Sequence, residues 1–176
     1  MKQSIKVILS ILIVQWACYF FSLVLPLQQF GLVPRTTLGL IGIFTAPFLH
    51  GSLFHLIGNS ISFVTFAVVL ALLEGNKMLT KVMLMVTIGG VLTWLFGRSA
   101  NHIGASGLIF SIWGYLLLSG WFSRKLKYIV VSITLMFFYG GFIFGILPGK
   151  AGVSWEGHLF GFIAGIIVSW LYHRKN

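Results

Sequence analysis

Ser106 stands between two glycines in NHIGASGLIF, and His158 opens the run GHLFGFIAG near the end of the chain. A serine hydroxyl is a poor nucleophile until a neighbouring base takes its proton, and an imidazole can be that base. If Ser106 begins a helix, unpaired backbone N–H groups and the positive end of the helix dipole lie where an oxyanion formed by its attack on a carbonyl would need support. Gly104 and Gly107 let backbone and substrate come close. A third cluster, HGSLFHLIGN, supplies His50, His55 and Asn59, of which His55 and Asn59 share a helix face at i, i+4. These residues together can perform acyl transfer. A plainer reading makes Ser106 an N-cap, the G-x-S-G run a packing device, and His158 a satisfied core histidine.

The elements that position these residues follow from composition. With 58% hydrophobic and 8% charged residues, the chain is too apolar for a soluble domain of 176 residues. About 20 helical residues cross a hydrocarbon core about 30 Å thick. Six runs fit, at about 5–25, 55–73, 79–96, 106–121, 128–146 and 158–172, and predict an all-α polytopic bundle forming one membrane domain over 1–176. The first run carries Lys2 and Lys6 but no A-x-A-like site follows it, so it reads as a retained helix. Between the first and second runs lie Pro26, Pro34, Pro47 and TTLGLIGIF, a segment too short to span and read as interfacial or re-entrant.

Charge sets the orientation. Nine basic residues (Lys2, Lys6, Lys77, Lys81, Arg124, Lys125, Lys127, Arg174, Lys175) fall on the side holding both termini, and three (Arg35, Arg98, Lys150) on the other. The positive-inside rule then predicts cytoplasmic termini. This distribution places the net charge of +10 beside lipid headgroups, not on a nucleic-acid-binding face. Cys18, the one cysteine, forms no intrachain disulfide and reads as a small core residue.

Depth is a geometric test. Asn59 lies 14 residues from Leu73, Ser106 lies 15 from Trp121, and His158 lies 14 from Tyr172. At 1.5 Å per residue all three stand roughly 21 to 22 Å from the cytoplasmic boundary. They share one level beneath the outer surface, which predicts a wet depression there and Ser106 within hydrogen-bond reach of His158, at about 2.6 to 3.2 Å or somewhat longer in a resting enzyme. The glycines Gly157, Gly161 and Gly165 allow the last helix to approach its neighbour closely. A metal site is disfavoured by the absence of H-E-x-x-H and of any aspartate, with Glu156 the sole carboxylate on the histidine-rich side. A Ser-His-Asp triad is excluded on the same ground, so a hydrolase here works with a dyad, without metal or cofactor. An ion conduit would need polar residues continuing to the cytoplasmic side, where the spans are apolar.

In this order, and on the second, fourth and sixth spans, the motifs HGSLFHLIGN, GASG and GHLFGFIAG resemble the rhomboid intramembrane serine proteases in their six-helix basic form. The resemblance covers about Phe44 to the C-terminus. It implies Ser106 as nucleophile and His158 as general base, with His50, Asn59 and the Ser106 N–H forming the oxyanion hole and His55 a structural neighbour. It implies transmembrane protein substrates, cut near their outer ends where helix-breaking residues let the strand unwind, and a setting in the bacterial inner membrane. It also implies that the fifth helix and the last outer loop, LPGKAGVSWEG, gate lateral entry. The chain departs from the family pattern where Phe110 replaces a tyrosine that stacks on the base, and where Phe44 and Thr45 replace a Trp-Arg pair. Neither a soluble N-terminal domain nor a seventh helix is expected. Related proteins that bind clients without cleaving them lack the serine or the histidine, whereas both are present here. Oligomeric state is left open, and His102 and Glu156 receive no role.

Overall fold

The computed structural model describes residues 2–149 and 152–174. Lys150 and Lys175, two of the basic residues that set the expected orientation, lie outside the described residues. So does Ala151 of the last outer loop.

Backbone N–H and C=O groups find no water in hydrocarbon, so an apolar chain satisfies them within helices. Among the described residues seven α-helices form: α1 Lys2–Ser22, α2 Thr37–Thr45, α3 Leu53–Glu74, α4 Met78–Phe96, α5 Ser106–Ser123, α6 Leu126–Tyr139 and α7 Trp155–His173. The described residues contain no strand, only an isolated bridge between Leu32 and His102. Four stretches are long and apolar enough to cross a membrane: Lys2–Ser22, Leu53–Phe96, Ser106–Ser123 and Leu126–Ile146. The second of these holds both α3 and α4, which turn at Gly75 with φ of 54°. The six expected spans are thus all helical, although α7, which carries Glu156, His158 and three glycines, is not among these four stretches.

Two boundaries beside the cavity differ from expectation. The fifth span leaves the α-helix at Tyr139 and continues to Ile146 as a 3-10 turn, where Gly140, Gly141 and Gly145 weaken helix propensity. The sixth begins three residues early because Ser154 caps it, its hydroxyl accepting the Gly157 N–H at 3.2 Å. The TTLGLIGIF segment becomes α2, capped by Thr36 and seated against Trp94 of α4 through Leu32, Ile43 and Ala46. Arg35 fastens this first loop where no Trp-Arg pair exists. Its Nη1 donates to the carbonyls of Leu95 and Gly97 at 3.1 and 2.8 Å, and its Nη2 to Ser99 Oγ at 3.0 Å. The carbonyls it meets are those left unpaired at the end of α4. Trp94 Nε1 adds a bond to the Thr36 carbonyl at 2.9 Å.

The bundle is built around α5, which is buried from Leu108 through Leu116 and packs against α3, α4, α6 and α7. A helix apolar on all sides belongs in such a centre. By contrast α6 leaves Ile133, Met136, Phe137 and Phe138 exposed. Between α5 and α7 the backbones nearly touch. A Cβ at Gly161 would overlap the Gly107 carbonyl, and one at Gly165 the Ser111 carbonyl. Small residues at these two positions therefore decide how closely the helix carrying His158 approaches the helix carrying Ser106.

Candidate active site

Ser106 is the first residue of α5, and Ala105 precedes it as the N-cap without any side-chain capping bond. The structure therefore overturns the N-cap reading. Among the described residues the Ser106 hydroxyl has no hydrogen-bond partner, so it is free for other chemistry. Gly104, at φ of 115°, makes the turn that delivers it. A Cβ there would also meet the His55 ring at 2.7 Å and Asn59 Nδ2 at 3.3 Å, so this turn lies directly on the polar face of α3.

His158 lies in the first turn of α7, with Nδ1 2.8 Å from the Gly145 carbonyl. A carbonyl only accepts, so Nδ1 carries the proton and Nε2 keeps its lone pair. The ring stacks on Phe110, with centroids 4.3 Å apart and planes 7° from parallel. The Gly145 backbone closes in on the Phe110 edge, where a Cβ would meet Cζ at 2.6 Å. A phenyl face suffices for this stack, and the absent tyrosine hydroxyl leaves the geometry intact.

Ser106, His158, His55, Asn59 and Phe110 all border one cavity of about 870 Å³, which places five of the expected site residues together. Among the described residues no hydrogen bond joins Ser106 to His158. The imidazole is oriented by Gly145 and Phe110, not by the serine. Catalytic hydrogen bonds in unliganded enzymes are often long and tighten only with substrate.

The two histidines of HGSLFHLIGN lie side by side, ring edge to face with centroids 5.1 Å apart. His55 borders the cavity beside Asn59, and His50 is fully buried next to it with both ring nitrogens unpartnered. Burial, helped by His55, pushes the His50 imidazole down to about 4, so it is neutral at physiological pH. Asn59 Nδ2 is buried without a partner, an arrangement that costs free energy unless something is there to accept. Gly157, Gly161, Gly165 and Gly107 line the α5/α7 contact, so they set the spacing and take no part in the chemistry. Among the described residues no three His, Cys, Asp or Glu side chains gather as metal ligands do.

His102, assigned nothing from sequence, binds Ser154 and the Arg98 carbonyl. The signal that could have found Ser154 was its place just before an apolar helix, the usual position of an N-cap. Burial holds the His102 imidazole below its ordinary value, against the opposing pull of the Arg98 carbonyl.

A family model described as the Rhomboid domain matches residues 38–175. An uncharacterized protein of Mycobacterium tuberculosis is 37% identical over 150 residues, covering 80% of this chain and 62% of its own length. An uncharacterized protein of Mycobacterium leprae is 36% identical over 139 residues, covering 74% of this chain and 55% of its own. RHOMBOID-like protein 1 of Arabidopsis thaliana is 29% identical over 135 residues, covering 74% of this chain and 34% of its own. The chain thus spans less than two thirds of the length of these curated relatives. With its apolar helices, free serine and stacked histidine placed, the family match carries the conclusion: this chain is an integral membrane protein of the Rhomboid domain family.

Proposed function

We propose that this protein is an intramembrane serine endopeptidase that hydrolyses peptide bonds in or near the transmembrane helices of other proteins. The carrying observation is that an unpartnered serine hydroxyl at the head of α5 shares a cavity with a histidine whose Nε2 is bare. Membership in a family composed mostly of intramembrane serine proteases supports the same reading.

In the reaction Ser106 Oγ attacks the scissile carbonyl and passes its proton to His158 Nε2. The oxyanion receives the Ser106 N–H, Asn59 Nδ2 and the His50 ring, whose nitrogens are buried without partners, while His55 supports the site beside them. Collapse expels the amine, which takes the proton from His158. Water then enters from the cavity, gives its proton to His158 and attacks the acyl-enzyme, and Ser106 is regenerated. Substrate enters beside α6, whose outward face is apolar and whose continuation at Gly140–Ile146 contacts both Phe110 and His158. Both termini are cytoplasmic, supported by Lys2, Lys6, Lys77, Arg124, Lys125, Lys127 and Arg174, and the setting is a bacterial inner membrane.

Reconstitution of wild type and Ser106→Ala in liposomes with a model transmembrane substrate tests this directly. Cleavage by wild type alone is expected, and cleavage that persists in the alanine variant sinks the assignment. A non-catalytic protein that binds membrane clients is the second reading, favoured by the missing Ser106–His158 hydrogen bond. It predicts client retention with no turnover.

A further inference from the structure

His102 stands four residues before Ser106, yet its side chain turns to the other half of the proposed dyad. Its Nε2 lies 3.1 Å from the Arg98 carbonyl, which only accepts, so Nε2 carries the proton. Nδ1 is then a bare acceptor, 2.5 Å from Ser154 Oγ, and Ser154 must donate to it. The same Ser154 oxygen accepts the Gly157 N–H at 3.2 Å, while the Ser154 carbonyl accepts the His158 N–H at 3.1 Å. The hydrogen bonds run one way, from Gly157 through Ser154 and His102 to Arg98, an order in which each strengthens the next.

The His102 backbone is equally tied. It exchanges two hydrogen bonds with Leu32 of the first loop, at 3.0 and 2.9 Å. Arg98 reinforces the junction, with Nη2 donating to the Val153 carbonyl at 2.7 Å and Nε lying 3.5 Å from Glu156 Oε1. His102 is therefore the buried crossing point of three segments: the first loop, the approach to Ser106 and the approach to His158.

We propose that His102 is a positioning residue for the dyad. Through Ser154 it fixes the head of α7, and hence His158, against the head of α5, and so sets the reach from Ser106 Oγ to His158 Nε2. The proposal rests on the protease reading above. The glycine contacts at 161 and 165 fix the spacing of the two helices, but the register of their first turns is left to this clasp.

Side-chain geometry supplies a discriminating pair. Asparagine at 102 keeps an acceptor near the Nδ1 position, whereas glutamine keeps a polar group near Nε2 and loses the acceptor that faces Ser154. The experiment measures kcat and KM on a reconstituted transmembrane substrate, the rate at which a fluorophosphonate labels Ser106, and the melting temperature in detergent. It compares wild type, His102→Asn, His102→Gln, Ser154→Ala and the double variant His102→Gln with Ser154→Ala. The glutamine variant should lower kcat and the labelling rate about 10- to 100-fold, the cost of a reacting group displaced by up to an ångström, with KM little changed. Ser154→Ala should match it, and the double variant should be no slower than either single one. His102→Asn should recover most of the rate. Equal rates in the glutamine variant and wild type, or losses that multiply in the double variant, overturn the role of His102. Losses that track only the melting temperature overturn it as well. A wild type that neither cleaves nor labels overturns the protease reading itself, and with it this role.

Discussion

The two ends of the bundle treat buried polar groups in opposite ways. At the end away from the cavity, Glu74 pairs with Lys81 and accepts from Tyr115 at 2.6 Å and Tyr128 at 3.0 Å, while Lys81 also donates to Tyr115 at 2.6 Å. Tyr115 reaches on to His173 Nε2 at 3.0 Å, so five ionisable side chains from five helices close upon one another. At the cavity end Ser106 has no partner, and Asn59 Nδ2 and both nitrogens of His50 are buried unpaired. Polar groups inside a membrane are expensive. The closed cluster offsets that cost with its own bonds and ties the helix ends together. The open one leaves donors and a nucleophile facing a space, and so is poised for a ligand rather than for stability.

If that contrast holds, the largest effect on rate and the smallest on folding should come from the same substitutions. Ser106→Ala and His158→Ala should each lower cleavage about 10³-fold or more, while melting temperature in detergent stays close to wild type. The opposite end should respond in reverse. Glu74→Leu leaves the Lys81 charge buried and alone and should destabilise the fold by about 3 to 5 kcal/mol. Combining it with Lys81→Met should recover most of that loss, as read from thermal unfolding.

The oxyanion donors give a finer test. Asn59→Ala and His50→Ala each remove a proposed donor for the oxyanion and should cost about 10²- to 10³-fold in kcat, or about 2.7 to 4 kcal/mol. His55→Ala should act mainly on melting temperature, because that ring packs edge to face on His50 at 5.1 Å and is proposed only as a support. The smallest effect belongs to Phe110. Phe110→Leu loses a stacked pair of rings worth about 0.5 to 1.5 kcal/mol, and Phe110→Tyr should stay near the wild-type rate.

Much of this arrangement is legible in the residues alone. Apolar length marks the helices, and counting from their far ends brings Asn59, Ser106 and His158 to one depth, where all three indeed border one cavity. What escapes such reading depends on packing. His50 and His55 are the same residue type five positions apart, and only the packed structure shows their rings edge to face, with His55 against the Gly104 turn. Lys81 counts as one more flanking charge until Glu74 and Tyr115 are seen to enclose it. His102 has no partner at any local spacing, since Ser154 comes to it only when α7 docks on α5. The 3-10 turn at Gly140–Ile146 lies hidden in an apolar run whose glycines look like ordinary membrane-helix residues.

The central claim is that Ser106 is a nucleophile activated by His158, and covalent labelling tests it most directly. Wild type and His158→Ala in liposomes are treated with a fluorophosphonate, and the adduct is located by mass spectrometry of the digested chain. An adduct on Ser106 in wild type that is lost in His158→Ala is the predicted result. No adduct on wild type, or one formed equally fast without His158, would contradict the account.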